Sequence, residues 1–315
     1  MKFGKGTHTY ELVENWAKVP EHVSLKDVCS VVIDEADNSY LVSRGSHPLL
    51  TFDREGNFLS AWDKGEFVFP HGACLGSDDS IFFIDASGHS VTKYTKDGKP
   101  LLQIGPKGEP SDTGVDFWTP EADVDFEFNL ESIVRGAEPF NQPTNAFVDS
   151  SGDIFVSDGY GNARVHRFTS EGKLIASWGE PGRKPGQFRV PHFVWVDKHD
   201  RIWVADRQNH RLQIFDINGK YLDEWAGFEW PCAIYIDEEE TVYVAELKRR
   251  ISILDKNGRA IAMFRCEEPD KDRAVLLAPH GIALDSRGDL YVSEVAFGLF
   301  GIDKKNRAIQ KFARV

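Results

Sequence analysis

A unit of roughly 40 residues recurs along this chain, and a period of that size marks a repeat array whose units are too small to bury an apolar face alone. Each unit reads Pro-x, a short apolar run, Asp, a polar turn usually with Gly, then a second strand ending on an acid. A third strand, an Asn-Gly or Asp-Gly turn and a fourth strand ending on an aromatic residue complete it. The clearest copies are QPTNAFVDSSGDIFVSDGYGNARVHRFTSEGKLIASWG, from Gln142, and VPHFVWVDKHDRIWVADRQNHRLQIFDINGKYLDEW, from Val190. Weaker copies begin at Asp27, Phe69 and Trp230. Short β-rich runs joined by glycine turns at even spacing predict antiparallel hairpins, and four strands per unit make a propeller blade.

A sixth copy starts at Pro279 but stops at NRAIQKFARV, which matches only a third strand. The missing strand stands at the other end of the chain, where HTYELVENW resembles NGKYLDEW of the fourth copy. The expectation is an all-β, six-bladed β-propeller occupying residues 1–315 as one domain. Its N-terminal strand completes the last blade and closes the ring, so that no sheet edge stays open. One stretch breaks the period: an acidic, aromatic insertion at about 106–140, either a surface elaboration or a lid over a site.

Charge narrows the partners. With 37 Lys+Arg against 50 Asp+Glu the net charge is -13, which repels phosphate backbones and anionic bilayers. Nucleic acid and membrane are therefore not expected as partners. The opening residues lack the apolar run of a signal peptide, no segment has the length of a membrane span, and the expected location is cytoplasmic. Cys29, Cys74, Cys232 and Cys266 show no C-x-x-C spacing and read as reduced thiols.

The first strand of a propeller blade lines the ring axis. Counting back from the Asp that ends each first strand gives equivalent inward positions: Cys29, Thr144, His192, Cys232 and His280, with His71 by the same count although Gly76 replaces its Asp. The three histidines fall in blades two, four and six. Alternate blades of a six-fold ring stand about 120° apart, so these imidazoles are expected to converge. Three neutral nitrogens suit Zn²⁺ or another divalent transition metal and leave a position for water or substrate. The plainer reading is that each ring bonds backbone beside the channel. Cys29 and Cys232 read as small residues at a crowded axis, or else as thiolates that would close the site. His8, His22, His47, His89, His166, His199 and His210 share no such register and read as surface or turn residues.

Ends of second strands bring three more side chains to that face: Arg44 in LVSRGSH, Arg207 in VADRQNHR and Tyr160 in VSDGYGNARV. Two guanidinium forks imply a small substrate bearing a carboxylate. A phenol near a dication can be acidified enough to act as a base.

At this point the residues resemble a known family. ADRQNHRLQIF resembles an NHL repeat, and the ordered set SRGSH, PHG, QPTNAFVD, SDGYGNARV, PGQFRVPH, VADRQNHR and PHGIALD is similar to the catalytic core of peptidyl-α-hydroxyglycine α-amidating lyase. The resemblance covers nearly the whole chain. It implies a zinc-dependent lyase that splits a carbinolamide, R-CO-NH-CH(OH)-COO⁻, into an amide and glyoxylate. By motif, His71, His192 and His280 correspond to the metal ligands, Tyr160 to the base that deprotonates the metal-held hydroxyl, and Arg44 and Arg207 to residues around substrate and tyrosine. The chain also departs from that pattern. Gly161 follows Tyr160 where the family has a disulfide-forming cysteine, and Gly281 stands where an acid would bind a structural calcium, which argues against calcium here. With no segment resembling a copper monooxygenase, a smaller α-hydroxy amide or related hydroxylated metabolite is the expected substrate. A metal-dependent hydrolase of a lactone or amide, and a non-catalytic NHL interaction module, are the alternatives.

Overall fold

The computed structural model describes residues 2–63, 65–115, 130–268, 270–271 and 273–315. The fold is all-β, with six antiparallel sheets arranged as the blades of a propeller and few helices. The chain forms two compact units, each holding three blades: Met1–Pro70 with Glu229–Val315, and His71–Phe228.

In the first unit, blade one is built from Val28–Ile33, Ser39–Ser43, Leu49–Phe52 and Phe58–Ala61. Blade five consists of Pro231–Ile236, Val242–Glu246, Arg250–Leu254 and Ala260–Arg265. Blade six joins Pro279–Leu284, Leu290–Glu294 and Ile309–Arg314 to His8–Val13, with Tyr10 opposite Arg314 and Leu12 opposite Phe312. The N-terminal strand thus takes the fourth place, as its sequence predicts. It also brings a further hairpin partner, Lys2–Lys5, which makes this sheet five-stranded. The connection from Glu294 to Ile309 carries a short helix, Ala296–Phe300. Trp16, Leu25, Val28, Leu41, Phe52, Ala283, Tyr291 and Ile309 form the core between blades six and one.

In the second unit, blade two spans Pro70–Leu75, Ser80–Asp85, Ser90–Thr95 and Pro100–Ile104. Blade three spans Pro143–Val148, Ile154–Asp158, Arg164–Phe168 and Leu174–Trp178, and blade four Pro191–Val196, Ile202–Asp206, Arg211–Phe215 and Tyr221–Ala226. Second strands are buried along their full length, as central strands packed on both faces must be. Among the described residues no helix is long and apolar enough to cross a membrane.

Two recurrent carboxylates explain why these segments fold as hairpins. The Asp that ends the first strand folds back on the turn that follows it: Asp149 accepts N–H bonds from Ser151 and Asp153 at 2.8 and 3.0 Å, Asp197 from His199 and Arg201, and Asp285 from Arg287 and Asp289. The acid that ends the second strand pins the connection arriving from the previous blade. Asp158 accepts the Asn141 N–H, Asp206 the Arg189 N–H, Glu246 the Glu229 N–H, and Glu294 those of Leu277 and Ala278. A cation is buried against most of these acids: Arg211 at Asp206, Arg250 at Glu246 and Lys304 at Glu294. Blade three carries His166 there, 3.4 Å from Asp158 and fully buried with it.

One histidine departs from the sequence reading for this reason: His166 lies on a strand and is buried. His89 stands in a turn, as that reading allows, but is buried as well. The first is enclosed by Asp158 and Ser177; the second accepts the Gln142 N–H through Nδ1, and burial lowers its pKa.

Glu294 and Lys304 are both inaccessible to solvent, and Glu294 holds two backbone N–H groups besides. Glu294→Gln keeps the shape but leaves the ammonium without its counter-charge. Its expected cost is about 3–5 kcal/mol, read as a lowered denaturant midpoint at unchanged slope.

Candidate functional site

In the first strands of blades one and three to six the inward-facing position coincides with a break in strand pairing. The register shifts between Val28 and Ser30, Pro143 and Asn145, Pro191 and Phe193, Pro231 and Ala233, and Pro279 and Gly281. The residue left over is Cys29, Thr144, His192, Cys232 or His280. A bulge releases one side chain from the alternation of the strand and re-aims it. The local geometry therefore singles out the positions that the sequence register identifies.

In the second unit, His71 is buried and its Nδ1 lies 2.6 Å from the Thr144 carbonyl oxygen. In the first unit, buried His280 makes the equivalent bond, Nδ1 to the Cys29 carbonyl oxygen at 2.6 Å. A carbonyl only accepts, so in both rings Nδ1 carries the proton and Nε2 presents its lone pair. Such an outer hydrogen bond fixes tautomer and ring direction in histidines that ligate metals. The donor set passes a chemical test for a borderline metal: His71, His192 and His280 are three buried imidazoles that as a group could bind a metal ion.

Tyr160 stands two residues beyond Asp158, in the turn after the second strand of blade three. Its hydroxyl lies 2.8 Å from His71 Nε2 and 3.1 Å from His192 Nε2. The two imidazole rings are 5.0 Å apart between centroids. Arg207 opens the 3₁₀ turn Arg207–Asn209 and is buried; its guanidinium donates to the Tyr160 hydroxyl at 3.3 Å and lies 5.2 Å from the ring centre. Four of the sequence-predicted side chains, His71, Tyr160, His192 and Arg207, thus meet within the second unit.

Arg44 has a different setting, in the first unit. Its Nε donates to the Pro70 carbonyl at 3.1 Å, a terminal nitrogen is 3.6 Å from Asp27, and the guanidinium lies 3.7 Å from the centre of the Phe69 ring. Burial pushes the Asp27 carboxyl up, against the opposing pull of Arg44 and of the Phe297 and Gly298 N–H groups. Reading Arg44 as an open carboxylate fork missed Asp27, its partner from the start of the same blade.

Both axial cysteines are buried in an apolar cluster with Leu247, Ala278 and Val295. Burial pushes the Cys29 thiol up to about 12, so at neutral pH it is a protonated, small apolar group and not a thiolate. Position 281 has no room for a side chain: a Cβ there would sit 2.5 Å from the Ser293 hydroxyl. The insertion at 106–140 is described at its two ends, while 116–129 lie outside the described residues. Sequence reasoning overlooked what those ends do. Thr113 and Asn141 bond the backbone beside Tyr160, and nothing in their spacing announces it.

Comparison with known proteins agrees with this architecture. The NHL repeat profile matches residues 188–215, the copy that contains His192 and Arg207. The human NHL repeat-containing protein 3 is 28% identical over 309 residues, covering 91% of this chain and 81% of that protein. The peptidyl-alpha-hydroxyglycine alpha-amidating lyase 1 of Drosophila melanogaster is 28% identical over 177 residues, covering 52% of this chain and 28% of the lyase. Among solved structures, the WD40 β-propeller domain of Doa1 superposes with a TM-score of 0.57 at 14% identity, covering 94% of this chain and 98% of that domain. At that identity the likeness is one of fold.

Cys29, Cys74 and Cys232 are buried and Cys266 is partly exposed. Titration of the native protein with a disulfide reagent at pH 8 is expected to count one rapidly reacting thiol, lost in Cys266→Ser, and four after unfolding.

Proposed function

We propose that this propeller is a metal-dependent lyase that cleaves the C–N bond of an α-hydroxyglycine-type carbinolamide, or of a related small α-hydroxy amide, to an amide and glyoxylate. The observation that carries the reading is the Tyr160 hydroxyl between His71 Nε2 and His192 Nε2, with Arg207 donating to it. A phenol used only for packing needs no such setting. The similarity over half the chain to a protein named as an amidating lyase supports the same reaction class.

In this reading His71, His192 and His280 hold one divalent ion, zinc being the choice that suits three imidazoles. Such an ion supplies Lewis acidity, making the substrate hydroxyl easier to deprotonate. The remaining work falls to side chains of the chain itself. Tyr160 accepts the hydroxyl proton as general base, helped by the positive charge of Arg207, which favours the phenolate. As the C–O bond of the former hydroxyl becomes a carbonyl, the electron pair of the C–N bond passes to nitrogen. Tyr160 then returns the proton to that nitrogen, so that R-CO-NH₂ and glyoxylate leave and the phenol is restored. The substrate carboxylate is assigned to Arg44, which would share its guanidinium with Asp27.

Incubation with α-hydroxyhippurate should yield benzamide and glyoxylate in equal amounts. Tyr160→Phe is expected to lower kcat by about 10²–10⁴ with little change in KM, the range of a lost general base. Elemental analysis of the purified protein should find about one transition metal per chain, lost in His192→Ala. Metal-loaded protein that releases no glyoxylate from any α-hydroxyglycine amide would falsify the lyase, and hydrolysis of a lactone by that protein would put a hydrolase in its place. Protein with no affinity for a transition metal would leave a binding module.

A further inference from the structure

The turn that presents Tyr160 is not held by its own blade alone. Thr113, from the near end of the insertion, donates its hydroxyl to the Gly161 carbonyl at 2.6 Å. From the far end, the Asn141 carbonyl accepts the Gly161 N–H at 3.0 Å and the Gln142 carbonyl accepts the Tyr160 N–H at 3.3 Å. The Asn141 side chain ties the two ends together, donating to the Ser111 carbonyl at 2.8 Å and to the Thr113 hydroxyl at 3.2 Å. Thr113 and Asn141 are each 1% exposed, so water does not compete for these bonds.

The contact is close as well as polar. A Cβ on Gly161 would come 2.1 Å from the Asn141 side-chain oxygen, so residue 161 can be only glycine while Asn141 keeps its place. One residue further on, Asn162 exchanges two bonds with Ala137, donating at 2.8 Å and accepting at 3.2 Å. The Tyr160 ring itself packs in an apolar cluster with Val115, Leu130, Ile133 and Val190, of which all but Val190 belong to the insertion. The Asn141 and Gln142 carbonyl bonds have counterparts in blade four, where Arg189 and Val190 accept from Gln208 and Arg207, but the Thr113 bond to the Gly161 carbonyl and one wall of the ring are supplied by a segment that the repeat does not need.

We infer that Thr113 and Asn141 are positioning residues for Tyr160, and that the two ends of the insertion fix the phenol in hydrogen-bonding reach of His71, His192 and Arg207. The inference rests on the lyase reading for its catalytic consequence but not for its geometry. A tyrosine on an ordinary turn swings over several rotamers, and a general base must stay within hydrogen-bond reach of the proton it takes. Clamping the backbone of Tyr160 and Gly161 between Thr113, Asn141 and Gln142 removes that freedom before substrate arrives.

Thr113→Val keeps the shape and removes the hydroxyl, whereas Thr113→Ser retains it. In 3-fluorotyrosine-labelled protein, the Tyr160 fluorine resonance, assigned by its loss in Tyr160→Phe, should shift or broaden in the valine variant and return to the wild-type position in the serine variant. With α-hydroxyhippurate the valine variant should lose about tenfold in kcat at a KM within about twofold, since a displaced base slows chemistry without weakening binding. Leu130→Ala, which removes the ring wall and leaves the polar clamp whole, serves if Thr113→Val does not fold. An unmoved Tyr160 resonance in the folded variants overturns the inference. Should wild-type protein release no glyoxylate, the lyase reading fails by itself, and the fluorine resonance still decides whether the insertion positions the phenol.

Discussion

One extra residue at the start of the first strands of blades one and three to six governs what this protein can present. An unbroken strand would send side chains to its two faces in turn, and the residue after the proline would pack between sheets. The bulge frees that residue from the ladder and leaves its own carbonyl available. His280 shows both effects, its ring anchored through Nδ1 to the carbonyl of bulged Cys29, and His71 is anchored in the same way to the carbonyl of bulged Thr144. The same irregularity thus aims a ring in one blade and fixes its tautomer from the next. A change that straightened a first strand would remove a donor and the acceptor that orients another.

That logic explains which features could be read from sequence. Blade count and the closing N-terminal strand follow from local signals, because each hairpin carries its own Asp, turn and alternating apolar run. The inward register follows too, since it lies a fixed number of residues before the turn-forming Asp. Contacts that join distant parts of the chain leave no comparable mark. His166 read as a surface or turn residue because its partner Asp158 and its neighbour Ser177 gain meaning only once three strands pair. Arg44 looked like an open fork because Asp27 lies on the far side of a hairpin. The insertion looked like a break in the pattern, and its use is visible only where Thr113 meets Gly161.

The buried acids of blades three to six show how the scaffold tolerates so irregular an inner edge. Each accepts backbone N–H groups from the incoming connection, and in blades four to six each is neutralised by an arginine or lysine. Burial pushes Asp206 up to about 6 even so, although Arg211, Asn209 and the Arg189 N–H all favour its charged form. Desolvation is therefore a real cost at these positions, and what it secures is the placement of the connection that leads into the next bulged strand. Blade three accepts a histidine in place of the permanent cation, and it is also the blade whose turn presents Tyr160 and whose incoming connection is the insertion.

Tyr160 brings these constraints together through its hydroxyl. With Nδ1 of His71 committed to a carbonyl, the Nε2 that faces the phenol is an acceptor, and the one phenolic proton satisfies it at 2.8 Å. The phenol oxygen then keeps lone pairs, one of which accepts from Arg207, and His192 Nε2 lies 3.1 Å away. The nitrogen lone pairs that a metal would require are consequently the atoms beside which this hydroxyl is held. Any ligand gathered at those nitrogens comes within reach of the phenol without a change of fold, and a base so placed would need no separate mechanism to find its substrate. The turn that carries it is held both by the connection entering blade three and by Thr113.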